Sequence, residues 1–300
     1  MRPSRRYSPS PLADQEVSLE IDKSADSPQD VWAPLRRTTQ ARIGLGRTGN
    51  ALPTKRVLEF SAAHAGARDA VHLPFDVASF AERITGLGLG APAVVRSNAS
   101  DRGEYLRRPD LGRTPADLSP LSHSGADVGI VMADGLSPRA LDEHGQGLLQ
   151  ALADDLRPHY SLAPPVLAVQ ARVALGDHIG AALGVRTLIM LIGERPGLSV
   201  ADSLGIYLTH LPQPGRTDAD RNCISNIHPP EGLDYRRAAA ITAALVAGAR
   251  RLGRSGVALK DTASDDLAGT EFIELLSRYE PSNSTDENTG TRQVDARPMP

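Results

Sequence analysis

Between residues 128 and 252, short apolar runs bounded by turn residues alternate with helical patterns, and no other feature constrains the fold as tightly. The runs are VGIVMA at Val128–Ala133, VLAV at Val166–Val169, TLIMLI at 187–192 and GIYLT at 205–209. The first three are apolar almost throughout, which fits strands covered on both faces rather than one. Between them, Ser137 as N-cap and Pro138 in the first turn open a helix that continues toward Leu156. A second helix is expected over 177–183, and a long Ala-rich one over Tyr235–Leu252. Strands and helices alternating at this spacing build βαβ units around a mainly parallel sheet, so a Rossmann-like α/β domain is expected over 116–262.

A parallel sheet delivers its strand ends to one edge. Here those ends read Asp134-Gly135-Leu136-Ser137, then Arg172-Val173, then Gly193-Glu194-Arg195 ahead of a Pro196-Gly197 turn. Ligands of open α/β sheets sit at that edge. Gly135, Gly193 and Gly197 are expected to leave room for a bulky ligand close to the backbone. Glu194 has two readings, a ligand-facing acceptor or a structural ion pair with Arg195.

The preceding stretch, 31–111, shows helical patterns and no period of two, so a small helical domain is expected over 29–115. Thr54 opens one helix, with Val57, Leu58, Ser61, Ala62 and Ala65 along one side, ending before Leu73-Pro74. Asp76 caps a second, with Val77, Phe80, Ala81 and Ile84 inward and Gly86 past its end. A third covers 101–108, and a Pro- and Ser-bearing linker follows at 112–124. Residues 1–28, rich in Ser, Pro and charge, read as a flexible leader. Residues 263–300 read as a polar, largely disordered tail with one helix at 271–279.

Composition narrows the classes. With 40% apolar but only 4% aromatic residues, the core has to be built from Ala, Leu, Val and Ile. Thirty-three basic against 36 acidic side chains, net −3, argue against nucleic acid or an anionic membrane as the main partner. The single cysteine, Cys223, allows no internal disulfide and fits a reducing compartment. The first residues lack the apolar stretch of a secretory signal, and no apolar run approaches the ~20 residues of a bilayer span. The chain therefore reads as soluble and cytoplasmic.

Short motifs add little chemistry of their own. GLGRTG at 44–49 has the letters of a dinucleotide fingerprint, but no buried strand precedes it and Pro53 interrupts the helix that should follow. A glycine-rich turn is the better reading. DEHGQG at 142–147 matches the Asp-x-His-x-x-Gly pattern by which some corrinoid enzymes ligate cobalt. Here it falls inside the helix opened at Ser137 rather than in the loop after the strand, so His144 reads as a helix-surface histidine. Cys223 reads as a small hydrophobe, with His228 the nearest histidine. Neither a nucleophile elbow nor a zinc spacing is present.

Eight blocks in order resemble the small subunit of ethanolamine ammonia-lyase. They are LRRTTQARIGLGRTGNALPTKRVLEF at 35–60, EYLRRPDLGR at 104–113, DVGIVMADGLS at 127–137, ARVALGDHIG at 171–180, LIGERPGL, DSLG, RNCISNIHPPEGL and SGVALKD at 255–261. The resemblance implies an adenosylcobalamin-dependent carbon–nitrogen lyase that converts ethanolamine to acetaldehyde and ammonia. It implies a large-subunit partner, several large–small pairs in one assembly, and activity only in the complex. It carries Val173, Glu194 and Cys223 over as cofactor-binding residues, none of them catalytic, with the corrinoid clamped between subunits. The corrinoid would keep its own base as lower ligand, so no histidine or other metal ligand is implied here. The leader becomes a candidate address for a bacterial microcompartment. Two rivals stay open: a nucleotide-binding oxidoreductase using 44–49, and a non-catalytic scaffold subunit.

Overall fold

The computed structural model describes residues 32–260. The expected leader, the tail and the helix at 271–279 lie outside the described residues. The chain divides into two packing units between Arg56 and Val57. In the first, a short helix α1 (Ala33–Arg36) precedes a turn-rich segment. There Gly44, Gly46 and Gly49 all take positive φ, and Thr48 and Ala51 close an isolated bridge. Among the described residues no strand precedes the GLGRTG segment, which forms the glycine-rich turn expected, with Gly44 O accepting from the Arg36 guanidinium at 2.6 Å.

Helix α2 (Thr54–His72) carries one buried residue, Ala70, while Val57 and Leu58 of its expected inner side stand exposed, as does Phe60. Helix α3 (Val77–Thr85) is capped as expected: the Asp76 carboxylate accepts from Ser79 N at 3.1 Å, and Phe80 and Ile84 are fully buried. Next comes strand β1 (Ala93–Arg96), where helix alone was expected. Four residues are too few to display a period of two, and the strand is defined by its parallel pairing with a strand 70 residues away in sequence. Helix α4 (Arg102–Arg107) follows, capped by Asp101.

The rest is a mixed α/β body. Its elements in order are β2 (Val128–Ala133), α5 (Pro138–Leu156), β3 (Val166–Val169), α6 (Leu175–Leu183), β4 (Thr187–Gly193), β5 (Leu204–His210), β6 (Arg221–Ile227) and α7 (Tyr235–Leu252). The six strands form one sheet in the order β1-β3-β2-β4-β5-β6. The first four are mutually parallel; β5 pairs antiparallel with β4 and β6 antiparallel with β5, since no α-helix intervenes between them. The sheet is therefore mainly parallel with an antiparallel flank.

Alternate strand residues build two cores, one on each face. Ile130, Met132, Ile189 and Leu191 meet α3, α5 and α7 on one side. Val131, Ala133, Met190 and Ile192 meet α6 on the other. This alternation of faces explains why β2, β3 and β4 are buried at every position and apolar almost throughout.

Candidate functional site

The carboxyl edge of the parallel strands is organised by Asp134, buried at the exit of β2. Its carboxylate accepts from Gln170 N at 2.8 Å and Ala171 N at 3.1 Å, which holds the exit of β3 and keeps Gln170 at φ 54°. Burial pushes the Asp134 carboxyl above its usual range, against the pull of Arg102 at 3.6 Å and of those backbone donors. Arg102 and Arg172 place their guanidinium carbons 4.7 and 4.4 Å from the Tyr105 ring centroid. The Tyr105 hydroxyl donates to Ala171 O at 3.0 Å, and burial raises its pKa far above the ordinary phenol value. Arg172 is thus fixed by stacking, by its own backbone N–H to Gly112 O at 2.8 Å, and by a bond to Tyr105 O. Its buried Nε has no hydrogen-bond partner among the described residues.

The strand-end glycines serve a different purpose from the one expected. A Cβ on Gly193 would sit 2.1 Å from Ser137 O, and one on Gly135, at φ 55°, would sit 2.2 Å from Gly193 O. The space at Gly135 and Gly193 is filled by the neighbouring backbone, so they let two loops touch rather than leaving room for a ligand. Leu136 N then bonds Gly193 O at 2.9 Å. At Gly197 the nearest atom to such a Cβ is Val200 O at 3.3 Å, within the same turn.

Val173 and Glu194 reach this edge from two strand ends, while Cys223 lies on the antiparallel flank. Val173 follows β3; Glu194 follows β4; Cys223 lies within β6, paired in register with Tyr207 of β5. Glu194 does not use Arg195 as its partner: its Oε2 accepts from Ser203 Oγ at 2.7 Å and Asn226 N at 3.3 Å. Two cavities of about 520 and 460 Å³ lie side by side along the edge. Both are lined by Arg172, Val173 and Tyr207; the smaller adds Glu194, and the larger adds Arg113, His178 and Arg216.

Tyr207 joins the set. It stands beside Cys223 in register, and burial pushes its pKa up to about 12, with Cys223 and Glu194 adding to the effect. Cys223 is exposed, yet the surrounding protein pushes its thiol up, Tyr207 pulling it down in part and Glu194 pushing it further up. At neutral pH both groups are protonated, so this corner offers a phenol, a thiol and a carboxylate with no nucleophile among them. The sequence shows only a hydroxyl-bearing ring within the apolar run 204–208; the structure adds that Tyr207 is the one residue of β5 that is not buried.

One buried ion pair escaped the sequence reading. Arg221, first in β6, makes a bidentate ion pair with Asp177 of α6 at 2.6 and 2.7 Å, with both side chains almost fully buried. It also donates to Thr209 Oγ1 and Arg216 O, tying the antiparallel flank to α6. His144, on α5, belongs to the opposite face of the sheet from Val173 and Tyr207, and its Nδ1 is engaged by the Tyr235 hydroxyl at 2.8 Å.

Fold and site together define an α/β protein with an open, mixed polar and apolar cleft at the carboxyl edge of its sheet. Residues 29–260 match the model of the family described as ethanolamine ammonia-lyase light chain (EutC). The ethanolamine ammonia-lyase small subunit of Rhodococcus erythropolis is 66% identical over 247 residues, covering 82% of this chain and 96% of that protein. The small subunits of Xanthomonas campestris pv. campestris (strain ATCC 33913) and Pseudomonas fluorescens (strain Pf0-1) are 49% and 47% identical, covering 81% and 84% of this chain and 92% and 96% of theirs. The chain belongs to the ethanolamine ammonia-lyase light-chain family.

Proposed function

We propose that this chain is the small subunit of an adenosylcobalamin-dependent ethanolamine ammonia-lyase, a carbon–nitrogen lyase active only with its large subunit. Val173, Glu194 and Cys223 would contact the corrinoid, with Tyr207 among them. The observation that carries the reading is the convergence of Val173, Glu194 and Tyr207, with Arg172, along two adjoining cavities on one face of the sheet, Cys223 lying in register beside Tyr207. The order of strands around β2 supports a Rossmann-like reading: α5 and α6 leave β2 and β3 toward opposite faces, so the crevice lies where the winding reverses.

The residues suit the group. A corrinoid carries a broad apolar ring fringed with amides, and a tail bearing a phosphate and a ribose. Val173 offers apolar contact, and Glu194 accepts from amide or hydroxyl donors. Tyr207 and Cys223 offer neutral donors, and the unpartnered Nε of Arg172 is a held cationic donor. When bound, adenosylcobalamin supplies the radical that abstracts hydrogen from ethanolamine; everything else asked of this chain is binding and shielding. Ser203 and Asn226 hold the Glu194 carboxylate in one orientation, and Tyr105 holds Arg172, so neither group has to be ordered on binding. The cleft opens to solvent along one side, which the large subunit would close.

Among the described residues no helix is long and apolar enough to cross a membrane. We place the complex in the cytoplasm, with enclosure in a microcompartment as a further proposal, and several large–small pairs in each assembly. To test the reading, the chain is purified alone and with a large subunit, mixed with adenosylcobalamin and gel-filtered. Corrinoid absorbance and ammonia release are expected only in the complex. Absence of corrinoid from both samples overturns the proposal.

A further inference from the structure

The DEHGQG segment serves neither the sheet-edge cleft nor any expected ligand of that cleft, yet it is built with care. Gly145 lets α5 pack closely: a Cβ there would lie 2.8 Å from Leu141 Cδ1 and 2.9 Å from Phe80 Cζ. Gly147 does the same for Tyr235, whose ring carbon would lie 2.6 Å from a Cβ at that position. Because Gly147 is bare, the Tyr235 ring of α7 lies against α5, and its hydroxyl reaches His144 Nδ1 at 2.8 Å. The other ring nitrogen, Nε2, is buried and has no hydrogen-bond partner among the described residues. A buried imidazole nitrogen without a partner costs free energy unless something completes it.

The same histidine belongs to a ligand set. One donor atom from each of Glu143, His144 and Asp202 lies within 4.8 Å of the others. Glu143 and His144 come from α5, and Asp202 from the segment just before β5. We propose that these three side chains form a divalent transition-metal site, with zinc the best match, lying on the face of the sheet opposite the cofactor cleft. Imidazole nitrogen with two carboxylates suits zinc, whereas calcium and magnesium take oxygen ligands. A water completes four-coordination. Tyr235 is the outer partner that such a histidine needs, fixing the ring so that Nε2 presents its lone pair.

Arg139 occupies the same ground. It bonds Glu143 Oε1 at 2.7 Å and stands 3.4 Å from Asp202 Oδ2, balancing two carboxylates that would otherwise repel. Its side chain is 46% exposed, so it can swing into water when the cation enters. The two positive charges exclude each other, and that competition gives the site a signature. Asp202 immediately precedes Ser203, the donor to Glu194, and follows Ala201, whose carbonyl accepts from Ser137 Oγ at 2.8 Å. A bound ion would therefore tie α5 to the segment that supports the cofactor cleft.

The test uses the full chain in complex with its large subunit, without a histidine tag, stripped with chelator and titrated with zinc chloride. Bound metal is read by mass spectrometry after gel filtration. One zinc per small chain is expected for the unsubstituted protein, and none at this site in His144→Ala or Asp202→Asn. Tyr235→Phe, which keeps the ring over Gly147, should weaken binding by about 10–100-fold. Arg139→Ala should tighten it. If His144→Ala does not fold, Asp202→Asn on the surface segment carries the same expectation. Equal zinc content in the unsubstituted, Asp202→Asn and Arg139→Ala proteins overturns the proposal, as does no zinc at all. Neither result bears on corrinoid retention, which is measured separately.

Discussion

Glu194 illustrates how much one side chain can be read from sequence and where such reading stops. Its position after an apolar run placed it at the strand edge, but its partners come from Ser203 and Asn226, the latter 32 residues on. Only the sheet order brings Asn226 there, and of the two readings of Glu194 the ion pair with Arg195 rested on adjacency alone. Glu194→Ala should raise the adenosylcobalamin dissociation constant of the complex by tenfold to a hundredfold or so, the worth of one hydrogen bond to a charged group at about 1.5–3 kcal/mol. Equilibrium dialysis measures it, and unchanged affinity removes Glu194 from the site. His210 carries a different prediction. It is buried, bonded to Thr187 Oγ1 at 2.8 Å, and its pKa is lowered from 6.5 by burial first, then by Arg250, Arg186 and Arg216. The unfolded chain therefore binds this proton more readily than the folded one. Stability is complete above about pH 6.5, falls as pH drops through the interval below it, and levels off under the depressed folded value. His210→Asn should flatten that part of a curve of urea midpoint against pH.

At the scale of elements, legibility followed burial. Strands β2, β3 and β4 are buried at every position, so their apolar runs marked them with little error. Strand β6 hid because its burial runs at intervals of three, Arg221, Ile224 and Ile227. The register shift opposite Leu204 and Ile206 breaks the period of two, and the strand begins with a buried arginine whose partner is on α6. Strand β1 hid because it is short and its partner is distant. Helix α5, by contrast, announced itself through Ser137 and Pro138. Ser137 Oγ accepts from Ala140 N at 3.2 Å and donates to Ala201 O, so one hydroxyl caps the helix and anchors the β4–β5 connection. Ser137→Ala should cost about 1–2 kcal/mol, at the upper end for a lost cap because two bonds go at once. The readout is a lowered urea midpoint at unchanged m. A midpoint within a few tenths of the unsubstituted protein would mean that water replaces both bonds.

At the scale of the whole chain, the ordered blocks spanning 35–261 gave the family, because a resemblance of that length does not depend on locating any strand. The expectation of a helical stretch up to residue 115 rested on local patterns, and those cannot see that Val94 and Val95 complete the sheet beside Leu167 and Ala168. Nor can they see that Phe80 and Ile84 fill the same core as Met132 and Leu148. Cutting the chain at residue 116 would remove both, uncovering the outer edge of β3 and leaving a void where two large side chains were. Loss of Phe80 alone is worth about 3–5 kcal/mol, a large share of the roughly 5–15 kcal/mol that holds a domain folded. Cutting at residue 74 removes α2, whose only buried residue is Ala70, and spares α3 and β1. The chain from 74 should unfold in one cooperative transition. The chain from 116 should aggregate or lack such a transition. Circular dichroism through a urea titration, with size-exclusion chromatography, separates the two outcomes. Cooperative unfolding of the shorter chain at an unchanged midpoint would mean that β1 and α3 lean on the sheet without supporting it.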